Sequence, residues 1–240
     1  MTTRYRTTGF IFKRDERDES DRVFSVFTSD YGRLEIFAKA IRKITSKLKS
    51  GIDIFSFSEV EFIQGKTYKT LTDAVSIDRF NNIKNSPERF KIISKISEVL
   101  DGFMNGQEKD GIASDLLYQA LERLNNTSLK PKNYNFVYYY FLWNFLSSQG
   151  YKPELKKCII CKKKISPYGI YFSSKDGGIV CEMCATPDKN YQKLNSDVTK
   201  ILRLIIEKDW QTLSRLKVQE FSEKLLQKIS DNYYYYFIPK

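Results

Sequence analysis

The chain has 240 residues, and its 40 Lys and Arg against 29 Asp and Glu give a formal net charge of +11. It contains no histidine, which excludes a Ser-His-Asp triad, a Cys-His dyad and imidazole metal ligands. The positive charge favours a polyanionic partner, a nucleic acid or an acidic lipid surface, although a lysine-rich composition alone produces a similar charge.

The first 80 residues have the pattern of short β-strands. The charged stretch 13–21 is expected to end the first strand, and residues 29–32 form a turn in which Gly32 supplies a positive φ. Five short strands with no helical period between most of them predict a small closed barrel. An SH3-like barrel or a small sandwich fits the count equally well. The predicted strands are Thr7–Phe12, Val23–Thr28, Leu34–Ala40, Ile52–Phe62 and Tyr68–Ile77.

Residues 82–150 change to a helical period. Ser86 followed by Pro87 is a typical helix start, and Gly150 is a typical residue after a helix end. Helical spacing resumes after residue 195, where Ser196 is expected to be the N-cap. The apolar positions expected in these helices are Phe90, Ile93, Ile96, Leu100 and Phe103; Leu116, Leu117, Ala120, Leu121 and Leu124; Val198, Ile201, Leu202, Ile205 and Ile206; and Val218, Phe221, Leu225, Leu226 and Ile229.

Two aromatic segments need an interpretation. The most apolar run, 134–146, is too short and too rich in Tyr and Asn to span a bilayer, which requires about 20 apolar residues. A buried aromatic helix is therefore expected there. The tyrosine run 233–237 is interpreted as packing at the end of the last helix. The N-terminal segment contains no apolar stretch typical of a secretory signal, so we expect a cytoplasmic protein.

Four cysteines form two C-x2-C pairs separated by nineteen residues. Two such pairs can direct four thiolates to one tetrahedral site, which suits structural zinc and leaves no open position for a catalytic water. Rubredoxin-type iron is the main alternative metal, and a redox dithiol fits poorly. Between the pairs, a strand at 168–173, a turn at 175–178 and a return strand at 179–180 predict a ribbon. The predicted ligands are Cys158, Cys161, Cys181 and Cys184.

Two stretches carry dense positive charge without a compensating acid. Each could be a solvated surface or a contact for nucleic-acid phosphates. The second surrounds the first cysteine pair, so its cations could also help to keep the thiolates ionised. Phe37 and Tyr31 lie near the first stretch and could stack on bases or belong to the core. The first stretch contains Lys39, Arg42, Lys43, Lys47 and Lys49, and the second contains Lys156, Lys157, Lys162, Lys163 and Lys164.

No catalytic constellation is present in the sequence. The acidic residues between positions 15 and 21 are neighbours in a predicted solvated loop, a poor arrangement for shared-proton or two-metal chemistry. No phosphate-binding G-x-x-x-x-G-K-[ST] motif occurs. The sequence thus favours a binding protein over an enzyme, with a zinc- or thiol-dependent enzyme as a remaining alternative.

Several local motifs resemble the bacterial RecO recombination mediators, and together they cover essentially the whole chain. In the first half they are Asp21-Arg-Val-Phe-Ser-Val-Phe-Thr28, Tyr31-Gly-Arg33, Ala38-Lys-Ala-Ile-Arg-Lys43, Ser46-Lys-Leu48, Phe55-Ser-Phe-Ser-Glu-Val-Glu61 and Leu71-Thr-Asp-Ala74. In the second half, Gly150-Tyr-Lys-Pro-Glu-Leu155 leads into the first cysteine pair, and Phe172-Ser173 and Gly177-Gly178 precede the second pair.

The resemblance implies an α+β protein with a five-stranded OB-fold barrel at 1–80 and a helical domain at 81–240. It places a zinc-ribbon-like module at 155–187 inside the helical domain. It implies a non-enzymatic protein, associated with the bacterial nucleoid, that binds single- and double-stranded DNA and anneals complementary strands. Its implied partners are RecR and single-strand-binding protein, and with RecR it would load RecA onto strands coated by that protein.

The basic loop of the family corresponds to the first basic stretch of this chain. The resemblance therefore implies DNA contacts by Lys39, Arg42, Lys43, Lys47 and Lys49. Arg33 and Phe37 are added from the exposed face of the third strand. The alternative is an RNA-binding zinc-ribbon protein associated with ribosomes or RNA processing, which would share the charge and the cysteines.

Overall fold

The computed structural model describes residues 3–104, 106, 109–166, 168–186 and 191–238. The chain divides into two compact units, 1–134 and 135–240. None of the described helices combines the length and apolar character that a membrane crossing requires.

Five strands of the first unit close into a barrel in the order β1-β2-β3-β5-β4, with β4 pairing back to β1. The β3–β5 pairing is parallel and the other pairings are antiparallel. Inward-facing apolar residues such as Ile11, Val26, Leu34, Ile36 and Val60 fill its core. This arrangement confirms the predicted five-stranded OB-like barrel. The strands are β1 Arg4–Arg17, β2 Asp21–Thr28, β3 Gly32–Ala38, β4 Phe57–Gln64 and β5 Lys69–Asp78.

Three strand predictions were wrong in their bounds. The third strand, predicted to reach Ala40, ends at Ala38, because Ala40 has a left-handed φ of 54°. The charged stretch does not end β1, because residues 13–17 stay paired with β2 and Arg22 Nε donates to Glu16 Oε1 at 3.0 Å across the hairpin. Residues 52–56 are not a strand, because Phe55 has a left-handed φ of 56°. Its N–H donates to Ile11 O at 2.8 Å, which holds this segment as a turn against β1. The pairing of β4 with β5 shifts register between Phe57 and Ser58 and again between Glu61 and Phe62.

Among the described residues of the first unit, three α-helices follow the barrel: α1 Asn81–Lys84, α2 Pro87–Phe103 and α3 Gly111–Asn125. The predicted apolar face of α3 is fully buried, and Ser86 caps α2 by accepting from the Arg89 N–H. Phe90, one of the apolar positions expected in this helix, is 40% exposed. Arg89 is buried instead, because its Nε donates to Tyr134 Oη at 2.9 Å and its Nη1 to Leu124 O at 2.8 Å.

In its described part, the second unit combines four α-helices with a three-stranded antiparallel sheet in the order β7-β6-β8. The aromatic helix α4 is buried, as expected: Trp143 stacks on Tyr233 at 4.6 Å and donates to Ser230 Oγ at 3.0 Å. A positive φ of 92° at Gly150 follows its end. The elements are α4 Tyr134–Ser148, β6 Ile170–Ser173, β7 Gly178–Cys181, β8 Gln192–Leu194, α5 Ser196–Ile206, α6 Trp210–Leu213 and α7 Glu220–Phe237.

The remaining differences in this unit are local. Asn195, not Ser196, caps α5, because its Oδ1 accepts from the Val198 N–H at 2.8 Å. Phe221, one of the apolar positions expected in the last helix, lies in α7 but is exposed. Strand β8 was not predicted. By their contacts α1–α3 group with the barrel, and the sequence-based domain boundary at residue 80 stays a prediction.

Candidate metal centre and nucleic-acid interface

The two cysteine pairs sit on knuckles closed by the same main-chain hydrogen bond. The Lys162 N–H donates to Cys158 O at 2.9 Å, and the Ala185 N–H donates to Cys181 O at 3.0 Å. Lys162 adopts a left-handed φ of 60° to make the first turn. The second knuckle follows β7 directly, so the predicted ribbon presents both turns at one end. Pro167 and Pro187, within the predicted module, lie outside the described residues.

The four sulfur atoms form one cluster in which every pair lies within 4.8 Å. Cys161 Sγ and Cys181 Sγ are 3.8 Å apart, close to the roughly 3.8 Å edge of a tetrahedron with Zn–S bonds of about 2.3 Å. Cys158 is buried and the other three are partly exposed. The donor set therefore fits a closed tetrathiolate centre, as the spacing of the cysteines predicted.

The surroundings of the four thiols lower the pKa of Cys158 and raise the pKa of Cys184. Burial raises the pKa of Cys158, but N–H groups of Cys181, Cys161 and Ile160 donate to its sulfur and lower that pKa to about 6. At Cys184, hydrogen bonds among the thiols, first with Cys181, raise the pKa to about 12. A divalent cation among the four sulfurs would favour their thiolate forms, because coordination deprotonates thiols.

The cysteine module is held to the segment that precedes it by a backbone hydrogen bond and to α5 by the side chain of Arg203. The Ile179 N–H donates to Glu154 O at 2.9 Å, and Arg203 donates twice to Leu155 O, at 2.9 and 2.7 Å. Glycine is required at position 178 for β7 to lie this close to Glu154, because a Cβ there would lie 2.8 Å from Glu154 O. The five lysines of the second basic stretch surround the first knuckle and are all exposed, and Lys156 Nζ lies 2.9 Å from Glu207 Oε1.

The first basic stretch is a loop between β3 and β4 that is anchored to the barrel core. Ile41 and Ile52 are buried in that core and Leu48 packs against it. Asp21 fixes the start of the loop, because its Oδ1 accepts from the Ala40 N–H at 2.7 Å. This hydrogen bond, with smaller contributions from Ser20 and nearby lysines, holds the pKa of Asp21 below its ordinary value. The loop path is thus defined by the barrel.

The five cations of this basic loop all point into solvent. Arg42 Nη1 lies 3.4 Å from Glu16 Oε2, and within the described part of the chain the four lysines form no ion pair. Ile44, in the middle of the loop, is 99% exposed. The four lysines are therefore available to phosphates without breaking an ion pair among the described residues.

A cavity of about 400 Å³ beside this loop contains cations that the sequence reasoning missed. Arg14, Arg22 and Arg79 line it with Lys49. Arg14 Nη1 lies 3.4 Å from Asp53 Oδ1 and Arg22 Nε lies 3.0 Å from Glu16 Oε1, so acids partly compensate the charge of these two arginines. Arg79 Nη2 donates to Ser50 O at 2.8 Å, which ties the loop to the end of β5. Arg14 and Arg22 lie on the paired strands β1 and β2, and Arg79 follows the end of β5, so the fold brings residues from distant parts of the sequence to one cavity.

The two remaining candidates from β3 differ from each other. Phe37 lies 5.8 Å from the ring of Tyr68, which is 57% exposed and could have been suggested by its place beside the predicted β4–β5 turn. Arg33 is engaged elsewhere: its Nη2 lies 2.8 Å from Asp101 Oδ1 and its Nη1 donates to Met104 O at 3.3 Å. Tyr31 packs against the core. The aromatic pair therefore extends the basic loop surface, whereas Arg33 links β3 to the end of α2.

Comparison with known proteins gave matches along the whole chain. The family model "Recombination protein O N terminal" matches residues 1–80, and "Recombination protein O C terminal" matches residues 76–240. A DNA repair protein RecO from Dehalococcoides mccartyi strain BAV1 is 33% identical over 214 residues, covering 89% of this chain and 83% of that protein. The RecO proteins of Caldanaerobacter subterraneus and Halalkalibacterium halodurans are 27% and 25% identical, over 95% and 96% of this chain and 90% and 88% of theirs.

Proposed function

This chain belongs to the RecO family of DNA repair proteins, and we propose that it is a recombination mediator that binds single- and double-stranded DNA. It anneals complementary strands and, with RecR, loads RecA onto strands coated by single-strand-binding protein. It acts at the bacterial nucleoid and does so as a binding protein without catalysis of its own.

The exposed basic loop on the closed barrel carries this proposal. OB-type barrels bind oligonucleotides through the face of strands 2 and 3 and adjoining loops. Here β3 ends in the loop that displays Lys39, Lys43, Lys47 and Lys49 to solvent. The exposed ring of Tyr68 beside Phe37 supplies a surface on which bases can stack. Phosphates would contact the lysines, and the arginines of the neighbouring cavity would extend this positively charged surface.

We assign the tetrathiolate centre to zinc with a structural role. Cys158, Cys161, Cys181 and Cys184 would hold the ion, which supplies cross-links within a small module. All four positions of a tetrahedral ion are taken by sulfur, so no position remains for substrate or water. This donor set supports the assignment of the chain as a binding protein.

Strand annealing tests the proposal directly. The Lys39→Glu, Lys43→Glu, Lys47→Glu variant is expected to anneal complementary DNA strands far more slowly than the parent, with or without single-strand-binding protein. A matched control, Lys91→Glu, Lys130→Glu, Lys132→Glu, has the same net charge and alters exposed lysines of the same unit outside the loop. The control should anneal at nearly the parent rate.

Two results would count against the proposal. Equal annealing by the loop variant and the parent would remove the basic loop as the DNA site. Preferential binding of an RNA oligomer over DNA of the same sequence, without annealing of DNA strands, would favour the RNA-binding alternative.

A further inference from the structure

A cleft of about 850 Å³ in the second unit lies between α7 and the three-stranded sheet. Its volume is within the range of about 300–1,000 Å³ that is typical of ligand sites. One wall is a single face of α7, since Lys228, Asn232, Tyr235 and Tyr236 recur at helical spacing. The turn after β6 and strand β8 form the other side. The cleft has no part in the metal centre.

The C-terminal tyrosine run has a buried half and an exposed half, and the exposed half lines this cleft. Tyr233 is buried, stacks on Trp143 and donates to Tyr151 O at 2.8 Å, and Tyr234 is buried beside it. Tyr235 and Tyr236 are 69% and 50% exposed and line the cleft. Packing at the helix end therefore explains the burial of the first two tyrosines but leaves half or more of the surface of Tyr235 and Tyr236 exposed.

The charged side chains that line the cleft are three lysines and one aspartate. Lys175, Lys193 and Lys228 are exposed, and within the described residues none of the three forms an ion pair. The single acid in the lining, Asp176, accepts from Ser173 Oγ at 2.8 Å and so belongs to the turn after β6. The cleft thus combines a net positive charge with exposed aromatic rings.

We propose that this cleft is a second binding site for single-stranded nucleic acid, separate from the basic loop. Phosphates would contact the three lysines while bases stack on Tyr235 and Tyr236, the combination that sequence-tolerant single-strand sites use. Electrostatic attraction would supply most of the affinity and make it dependent on salt. The inference goes beyond the proposed function, because a chain with two such sites holds two strands at once.

Stoichiometric titration of the full-length chain at low salt tests this site. The probe is a labelled oligothymidylate of about eight nucleotides, short enough to fill a single site. The parent should bind two oligonucleotides per chain. The Tyr235→Ala, Tyr236→Ala variant should bind one, since loss of each stacking ring weakens the site by about fivefold or more. The Lys39→Glu, Lys43→Glu, Lys47→Glu variant should also bind one.

Matched controls separate loss of the cleft from loss of folding. Tyr235→Phe, Tyr236→Phe keeps the rings and should still bind two strands. Phe221→Ala, which removes an exposed ring of the same helix outside the cleft, should do likewise. Lys228→Glu leaves every ring in place and should bind one oligonucleotide per chain. Lys224→Glu makes the same change in net charge outside the cleft and should still bind two.

Three results have definite consequences. Two strands bound by both the Tyr→Ala variant and Lys228→Glu would overturn the inference. So would an oligoglutamate peptide that binds the cleft while oligothymidylate binds only the basic loop, because the cleft would then belong to an acidic protein segment. If the cleft variants bind one oligonucleotide and the loop variant still binds two, the inference about the cleft is supported. The assignment of the basic loop as a DNA site in the proposed function would then be wrong.

Discussion

Replacing Lys39, Lys43 and Lys47 by glutamine tests whether the basic loop contacts phosphates. The three side chains are exposed and form no ion pair within the described part of the chain, so their removal breaks no contact of that kind there. For single strands, each neutralised phosphate contributes about 0.7 to the slope of log Kobs against log salt concentration. The variant should therefore show a slope shallower by about 2. At 0.1 M salt its affinity should fall about 100-fold, or about 2.8 kcal/mol.

The assay is fluorescence anisotropy with a labelled oligothymidylate over a series of salt concentrations. Both proteins carry Tyr235→Ala and Tyr236→Ala, so that binding in the second unit does not contribute. Glutamine at Lys91, Lys130 and Lys132 is the control. A slope that does not change in the loop variant, or that changes equally in the control, would refute the reasoning.

Three further predictions concern stability. Removal of metal by a chelator should increase hydrogen exchange in residues 155–186 and leave the barrel protected, since metal binding contributes folding free energy to the module. Unchanged exchange after chelation would contradict this, as would a metal content far below one ion per chain in the untreated protein. Gly51→Ala should destabilise the chain by about 1–3 kcal/mol in denaturant unfolding, because its Cβ would overlap the Ala74 carbonyl. Gly111→Ala, with open space around its Cβ, should be neutral or stabilising by up to about 1 kcal/mol; equal loss in both would contradict the argument. Burial raises the pKa of Asp101, but Lys13 and Arg33 outweigh it and hold the pKa below the ordinary 3.8. The stabilisation is therefore present above pH 3.8 and lost as the pH falls through the lowered pKa; Asp101→Asn should unfold with a weaker acid dependence, and an unchanged one would be inconsistent with the ion pairs.

Spacing of residues along the sequence was sufficient to predict the helices, knuckles and strands whose conformation depends on residues close to one another in the chain. Helix α3, with its buried face from Leu116 to Leu124, follows from helical spacing alone. The metal ligands follow from the C-x2-C spacing, because each knuckle is a local turn. The buried strands of the barrel were found for the same reason, since alternation of apolar side chains is a local signal.

Predictions failed where long-range contacts decide the structure. Arg89 is buried because Tyr134 and Leu124, distant in sequence, accept its hydrogen bonds. Residues 52–56 turn because Phe55 pairs with Ile11 of β1. The arginine-lined cavity and the lysine–tyrosine cleft each combine side chains from separate elements. No spacing rule along the chain brings such groups together, so neither could be found from the sequence.

Loading of RecA onto coated DNA is the most direct test of the proposed function. The measurement is ATP hydrolysis by RecA on single-stranded DNA saturated with single-strand-binding protein, in the presence of RecR from the same bacterium. We expect the parent chain to shorten the lag before hydrolysis, and the Lys39→Glu, Lys43→Glu, Lys47→Glu variant to leave the lag almost unchanged. A parent chain without effect on the lag, or a loop variant as effective as the parent, would contradict the account.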